Sequence, residues 1–443
     1  MPRDDDEHGT LKLIDEVEGE WKLPISRRAI LLGVFGTSST TALIWGLIEE
    51  KRIDDKTRDH SPNVNQASTT SPTPAMLSGP TANPLWTVKL PSAAKAIAVN
   101  TGVVAVLDKD GRLSGFDAQS GAAKWKPSVK LYSSIAPLAV LGDTFLGVTA
   151  DERLQAVGAL DGGERWQVQL VDTGSNDTAP VSQQVFGSTV LLTGLTIDVG
   201  NRSNDAALIW GVDTTTHSVA WKLSRTGKNP PITTLAVSES AGVILSADTT
   251  VPGLVAYSLA DRTELWRKSP NQGSYPIDLP QNCVTVSGNT FYWAEYQLHA
   301  IDARTGKELW TAPAPTPKAI EVFQAVVLVP RSAPDGGDLV VTAMNTDKDN
   351  GSLYAFAAST GEQVWQRQAG KEFGSPHSAL STANGIIFAT ESANGSVYAV
   401  DAKTGTTRWT FHDPTPDAPD WLTATDGTRL YVAYGTTLLA FDP

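Results

Sequence analysis

Apolar and polar residues alternate in short runs from about residue 83 to the end of the chain. In Leu298–Asp302, for example, Leu298 and Ala300 share one side of an extended segment, a period of two that predicts a strand with one buried face. Turn pairs such as Asp110-Gly111 separate apolar runs and indicate tight hairpins. With one further run before each hairpin and one after it, the pattern predicts four strands per period and an all-β fold.

A short sequence motif, which we call the phrase, begins at the end of the third strand of each period. Its two clearest copies are Ala300-x-Asp302-x-x-Thr305-Gly306-x-x-x-Trp310 and Ala399-x-Asp401-x-x-Thr404-Gly405-x-x-x-Trp409. Asp and Thr side chains can accept backbone N–H groups of the turn, and Gly supplies a positive φ without steric cost. The Trp then lies on the fourth strand, where we expect its large ring to pack between neighbouring sheets.

The tryptophan is the most regular member of the phrase. Degraded copies end at Trp125, Trp166, Trp221, Trp266 and Trp365, and an isolated Trp86 precedes them all. Successive tryptophans are 39 to 55 residues apart, and this period with strand-like composition predicts a β-propeller of four-stranded blades. His217 and Arg262 replace the turn glycine in two copies, which indicates a different type of turn there.

The two ends of the repeat complete one another. The final half-phrase, Leu438-x-Ala440-x-Asp442, has no Trp strand, whereas residues 83–88 supply a Trp strand with no phrase before it. We therefore predict that the N-terminal strand joins the C-terminal blade and closes a ring of eight blades, which removes exposed sheet edges. Seven blades is the alternative, because the copy at Trp221 is the most degraded.

The segment before residue 83 has a different composition. Residues 1–28 are acidic and predict a cytoplasmic segment; residues 29–48 are uncharged and long enough for a transmembrane helix or an uncleaved twin-arginine-like signal. Arg27 and Arg28 precede this stretch, and by the positive-inside rule they place the N-terminus inside. Residues 49–82 are rich in Ser, Thr and Pro and predict a disordered linker. The propeller at 83–443 is then expected on the extracytoplasmic side of the cytoplasmic membrane.

The net charge and the residue counts exclude several classes of function. The net charge of −13 disfavours phosphate binding, so no nucleic-acid partner is expected. The single cysteine, Cys283, excludes an intrachain disulfide, and six histidines show no metal-ligand spacing. We predict neither a catalytic residue nor a metal or cofactor site.

The Ala-x-Asp-x-x-Thr-Gly-x-x-x-Trp phrase resembles the repeat of the pyrroloquinoline-quinone-like propeller superfamily, over residues 83–443. That resemblance implies the ring fold. It leaves two functions open, since the superfamily contains quinone- and calcium-dependent dehydrogenases as well as non-catalytic members such as the barrel-assembly lipoprotein of Gram-negative outer membranes. The dehydrogenases carry a pair of adjacent cysteines over the quinone, and this chain has only Cys283.

We therefore expect a non-enzymatic, membrane-anchored scaffold or sensor that binds a protein or a cell-envelope component. The alternative is a dehydrogenase that uses pyrroloquinoline quinone and calcium. Three segments are candidate recognition loops, since loops on a rigid ring commonly carry function. They are insertions near 198–205 and 332–349, and the acidic segment 411–420 before Trp421.

Overall fold

The computed structural model describes residues 75–443, with gaps. The gaps are 126–129, 132–137, 171–177, 197–205, 227–231, 249–252, 270–282, 295–296, 314–321, 332–336, 346–350, 370–379, 392–394 and 415–420. The predicted segments 1–28 and 29–48 lie outside the described residues, as does the linker up to residue 74. Within the part that is described, no helix has the length and apolar character needed to cross a membrane.

Two strands precede the first complete blade: β1 (Ala75–Met76) and β2 (Trp86–Lys89). The first four blades follow in chain order. Blade 1 comprises β3 (Ala94–Asn100), β4 (Val103–Asp108), β5 (Leu113–Asp117) and β6 (Ala123–Trp125); blade 2 comprises β7 (Ala139–Leu141), β8 (Thr144–Val148), β9 (Arg153–Gly158) and β10 (Glu164–Gln169). Blade 3 comprises β11 (Thr178–Phe186), β12 (Thr189–Thr196), β13 (Ala206–Asp213) and β14 (Ser218–Thr226); blade 4 comprises β15 (Ile232–Ser238), β16 (Val243–Asp248), β17 (Gly253–Ser258) and β18 (Glu264–Lys268).

The remaining strands form four more sheets. Blade 5 comprises β19 (Val284–Ser287), β20 (Thr290–Ala294), β21 (Gln297–Asp302) and β22 (Glu308–Pro313); blade 6 comprises β23 (Val322–Val329), β24 (Leu339–Asn345), β25 (Gly351–Ala357) and β26 (Gln363–Gln368). Blade 7 comprises β27 (Leu380–Ala383), β28 (Ile386–Glu391), β29 (Ser396–Asp401) and β30 (Thr407–His412). Blade 8 comprises β31 (Trp421–Thr425), β32 (Leu430–Tyr434), β33 (Thr437–Phe441) and, as its outer strand, β2.

The sheets form a closed ring. The first strand of each blade lies innermost and contacts the first strand of the next blade, and the series returns from β31 to β3. The predicted closure is confirmed, because β2 pairs antiparallel with β33, with Trp86 opposite Ala440 and Lys89 opposite Thr437. The eight-bladed prediction is therefore correct. Seven blades is wrong, because the degraded copy at Trp221 belongs to a complete four-stranded sheet, blade 3.

The hydrophobic cores lie between blades. Residues of β4 are buried along their whole length because both faces of that strand are covered by a neighbouring blade. One core cluster, for example, joins Val103 and Leu107 of blade 1 to Phe145 and Val157 of blade 2. Stacking of this kind covers both sides of the sheets with neighbouring blades.

The chain enters the ring before residue 83, where the linker was predicted to end. Strand β1 adds to blade 6 as a fifth strand, parallel to β26, with Ala75 opposite Arg367. Thr81 then bridges in parallel to Thr410 on β30 of blade 7. We call residues 75–82 the strap, because they cross the outer edges of two blades before β2 completes the third.

Candidate interaction surface

The Asp-x-x-Thr-Gly segments form one kind of turn. The backbone N–H and the hydroxyl of Thr305 donate to Asp302 Oδ1 at 2.9 and 2.7 Å, and Gly306 N–H donates to the Asp302 carbonyl at 2.9 Å. Asp401, Thr404 and Gly405 repeat this arrangement. The Thr305 hydroxyl is the main reason why the pKa of Asp302 lies below its usual value. These carboxylates stabilise turns of the ring.

Each turn receives the tryptophan of the preceding blade. A Cβ added to Gly306 would lie 2.6 Å from the ring of Trp266, and one added to Gly405 would lie 2.8 Å from Trp365. The same contact joins Trp86 to Gly121, Trp125 to Gly162 and Trp310 to Gly361. The prediction that the indoles pack between blades is confirmed, and the turn glycine is required both for its positive φ and for this close approach.

The indole N–H also joins the blades, through a residue that the sequence interpretation missed. Trp266 Nε1 donates to the Ala303 carbonyl at 2.8 Å, and Trp365 Nε1 donates to the Ala402 carbonyl at 2.8 Å. Trp86, Trp125 and Trp310 make the equivalent bond to Ala118, Ala159 and Ala358. In all five turns the residue directly after the Asp position is alanine. This recurring alanine is the sequence signal that could have predicted the hydrogen bond.

The prediction of a different turn at His217 and Arg262 is wrong. Both residues adopt a positive φ, 50° and 64°, and Arg262 N–H donates to the Ser258 carbonyl as Gly306 does to Asp302. Their side chains contact the tryptophan of the preceding blade, whose ring lies against a glycine in the other turns. The His217 ring stacks on Trp166 at 4.9 Å, and the Arg262 guanidinium lies 5.0 Å from the centre of the Trp221 ring.

A bulge directly precedes the tryptophan on the outer strand of blades 1 to 7. The skipped residue faces solvent. It is Lys124, Arg165, Ala220 or Arg408 in blades 1, 2, 3 and 7. In blades 4, 5 and 6 it is Leu265, Leu309 or Val364, whose exposed fractions are 44%, 52% and 45%. Three adjacent blades therefore present an apolar side chain at this bulge position, and we call Leu265, Leu309 and Val364 the apolar rim. Leu85, directly before Trp86 on β2 of blade 8, is likewise 44% exposed.

The quinone- and calcium-dependent alternative can be compared with the described residues. Within the described ranges, no three His, Cys, Asp or Glu side chains are close enough to hold a metal ion. Cys283 is buried in the core between blades 4 and 5, and the chain has no second cysteine with which to form an adjacent pair. The single cysteine does not fit the adjacent pair that the dehydrogenase alternative requires.

The candidate recognition loops are only partly covered by the structure. Residues 198–205, 332–336, 346–349 and 415–420 lie outside the described residues. Trp421, directly after the acidic segment, is fully buried and stacks on Tyr434 at 4.0 Å. Tyr434 in turn donates to Asp413 Oδ2 at 2.7 Å. Trp421 is therefore part of the core of blade 8 and does not offer its ring to a partner.

A buried histidine lies in blade 5. His299 is 1% exposed, stacks on Trp293 at 5.2 Å, and places Nδ1 3.0 Å from Glu308 Oε2, which also accepts from Lys268 of blade 4 at 3.0 Å. Burial lowers the pKa of His299, and the Glu308 carboxylate offsets this only in part. Desolvation raises the pKa of Glu308, but hydrogen bonds from Thr311, Lys268 and His299 outweigh it and bring the value to about 2. Neutral His299 thus donates its Nδ1 proton to an ionised carboxylate.

This histidine predicts a pH dependence of stability. The unfolded chain, with an ordinary His pKa of about 6.5, binds the proton before the folded chain does. Stability from neutral His299 is present above about pH 6.5 and is lost as the pH falls towards the lowered folded value. In urea titrations between about pH 7 and about pH 5, the free energy of unfolding should fall more steeply for the native chain than for His299→Gln. The exposed His412→Gln serves as control, and equal slopes in all three proteins would contradict the assignment.

The geometry defines a class of protein: an eight-bladed propeller whose blades are joined by repeated Trp–turn contacts. The family model described as outer membrane protein assembly factor BamB matches residues 42–251, 251–347 and 297–443. The chain therefore belongs to this family of pyrroloquinoline-quinone-like repeat propellers.

Solved structures show the same fold at low sequence identity. BamB from Moraxella catarrhalis is 18% identical, with a TM-score of 0.54 over 82% of this chain and 97% of that one. The quinohemoprotein alcohol dehydrogenase ADHIIG from Pseudomonas putida HK5 is 13% identical, with a TM-score of 0.56 over 81% and 76%. The computationally designed Ika8 protein is 13% identical, with a TM-score of 0.58 over 82% and 100%. None of the curated proteins compared with the chain matches it.

Proposed function

We propose that this protein is a non-enzymatic scaffold, anchored in the cytoplasmic membrane through residues 29–48, whose propeller binds a protein of the cell envelope on the extracytoplasmic side. Arg27 and Arg28 orient the anchor. Residues 49–74, as a flexible coil, give the ring a reach of about 30 Å. A role as an envelope sensor, with residues 1–28 on the cytoplasmic side, is a variant of the same proposal.

The observation that carries the proposal is the apolar rim. Its side chains stand in solvent at equivalent positions of three adjacent blades, where blades 1, 2, 3 and 7 have Lys, Arg or Ala. The turn aspartates and the indoles, in contrast, are engaged in holding the ring together. Membership of a family described as an assembly factor supports binding of other proteins. Propellers serve many unrelated functions, so likeness to dehydrogenases of the same fold adds no argument for catalysis.

The location is tested by labelling a new surface cysteine. Lys307 is exposed in the blade 5 turn, whereas Cys283 is buried. In intact cells that carry the full chain with Lys307→Cys, we expect a membrane-impermeant maleimide to label the protein, and the native chain to remain unlabelled. Labelling of Lys307→Cys only after permeabilisation would overturn the proposed orientation.

Partner binding and catalysis are tested on the full chain. Cross-linking in intact cells should enrich the same envelope protein in every replicate, and an excess of purified ring protein should compete for it. With added pyrroloquinoline quinone, calcium and an alcohol or sugar, purified protein should not reduce a redox dye. Turnover of that dye, or enrichment of no envelope protein, would contradict the scaffold proposal.

A further inference from the structure

The strap shows how the outer side of the ring holds an extended segment of polypeptide. It runs along β26 and β30 in parallel, with Leu77 N–H donating to the Gln368 carbonyl and Ala82 N–H to the Thr410 carbonyl, both at 2.7 Å. Gly79 passes close to β30, since a Cβ there would lie 3.0 Å from Thr407 Cγ2. The outer edge of a blade is thus a surface on which a further strand forms regular hydrogen bonds.

The strap and the strand β2 that follows it place one apolar side chain at each blade interface that they pass. Leu77 belongs to the core that contains Trp365, Ala82 packs against the core that contains Trp409, and Val88 of β2 packs against the core between blades 8 and 1. These anchors are five and six residues apart. An extended segment that follows the rim therefore needs an apolar residue at about this spacing.

The tryptophans on the strands that the strap covers are less exposed than those on strands without it. Trp365 and Trp409, on the two strands that the strap covers, are only 6% and 9% exposed. Trp266 and Trp310, at the equivalent positions of blades 4 and 5, remain partly exposed. Strands β18 and β22, which carry them, are the last strands of their sheets in the described part of the chain.

Blades 4 and 5 add an apolar residue to each of these positions. Leu265 precedes Trp266 on β18, and Leu309 precedes Trp310 on β22, both exposed. Tryptophan is one of the residue types on which binding energy concentrates at interfaces, and the neighbouring leucine enlarges the exposed apolar patch. A strand at the edge of a sheet, beside an apolar anchor, offers a partner strand both main-chain hydrogen bonds and a site for a side chain.

We infer that the outer edges of β18 and β22 bind an extended segment of a partner protein in the way that β26 and β30 bind the strap, with apolar side chains five or six residues apart placed against Leu265–Trp266 and Leu309–Trp310. This inference rests on the proposed scaffold function and specifies its binding surface. The surface continues the interface that the strap already forms on blade 6.

The chain immediately before the strap does not have the composition of this occupant. Residues 66–74 read Gln-Ala-Ser-Thr-Thr-Ser-Pro-Thr-Pro and contain no large apolar residue at the anchor spacing. A segment of another protein therefore fits the surface better than the linker does.

The test uses purified full-length protein in detergent and a defined probe. The probe is a fluorescent peptide of Ser and Thr with three leucines six residues apart, and the control peptide has the same composition with the leucines adjacent. We expect the spaced peptide alone to bind, measured by anisotropy. Leu309→Glu and Leu265→Glu should each weaken binding about tenfold or more, because a charge replaces a buried apolar contact.

Lys124→Glu, at the same bulge position of blade 1, is the matched control and should leave the affinity unchanged. Bound peptide should slow hydrogen exchange in β18 and β22 while the strap stays protected. Equal affinity in the Leu309→Glu protein would overturn the inference. So would loss of strap protection, a Leu309-dependent dimer without peptide, or a photocross-link from position 309 to residues 49–74.

The outcomes separate this inference from the scaffold function. If the peptide fails to bind while cross-linking in cells still enriches an envelope protein, the inferred binding surface on β18 and β22 is wrong and the proposed scaffold function is retained. If the peptide binds through Leu309 but no envelope protein is enriched, the surface stands and the scaffold function is wrong.

Discussion

Replacing Trp365 with alanine should lower the free energy of unfolding by about 3–5 kcal/mol, the usual cost of truncating a buried large aromatic side chain. Trp365 is 6% exposed, donates to the Ala402 carbonyl at 2.8 Å and packs over Gly405, so the substitution removes a contact between blades 6 and 7 and leaves a cavity there. Urea titration of the full chain measures the loss.

The neighbouring Val364 provides the control for this measurement. It lies on the same strand but is 45% exposed, so Val364→Thr should change the free energy of unfolding by no more than about 0.5 kcal/mol. A loss below about 1 kcal/mol for Trp365→Ala would show that the indole does not hold the blades together.

Introducing a side chain at Gly361 should lower the free energy of unfolding nearly as much as Trp365→Ala does. Its φ is +74°, and a Cβ there would lie 2.5 Å from the ring of Trp310. A left-handed backbone costs a non-glycine residue about 1–2 kcal/mol, and overpacking adds about 1–3 kcal/mol. We expect Gly361→Val to destabilise the ring by about 2–5 kcal/mol in the same assay.

Arg262 occupies the equivalent turn position of blade 4 and offers the reverse substitution. Arg262→Gly relieves the left-handed backbone, worth about 1–2 kcal/mol, and removes a cation–π contact worth about 0.5–1 kcal/mol. The two effects nearly cancel, so stability should change by less than about 1.5 kcal/mol, in the stabilising direction if at all. A large destabilisation by Arg262→Gly would contradict the view that one turn serves all blades.

The repeat was predictable because its determinants are local and recur. Asp302, Thr305 and Gly306 specify their turn through contacts within four residues, and the same types recur at Asp401, Thr404 and Gly405. Closure was predictable because the strand at Trp86 and the half-phrase at Asp442 are incomplete in complementary ways. Each inference needed only the chain itself and the rule that a propeller completes its blades.

The strap and the turns at His217 and Arg262 depend on contacts that are distant in sequence. Ala75 pairs with Arg367, nearly three hundred residues away, and a two-residue strand has no periodicity of its own to reveal it. Arg262 adopts the same turn conformation, with its guanidinium over Trp221 of the preceding blade. Local rules therefore predicted a linker and a different turn at these places.

The apolar rim also could not be recognised from the sequence alone. Leu265, Leu309 and Val364 fit the alternation of a strand and would be expected in a core. The bulge before each tryptophan shifts the register and turns these side chains to solvent. Their exposure, and hence the proposed surface for a partner, follows from the folded ring.

A disulfide across the closure tests the central claim most directly. Lys89 and Thr437 face each other on β2 and β33, and opposite residues of an antiparallel pair lie within about 4.5–5.5 Å between Cα atoms, as a disulfide requires. In full-length protein with Lys89→Cys and Thr437→Cys, mild oxidation should convert the monomer to an internally cross-linked form on a non-reducing gel. Lys89→Cys with Lys307→Cys should stay reduced. A closure pair that remains as free thiols, or links only between molecules, would contradict a ring joined by its first and last strands.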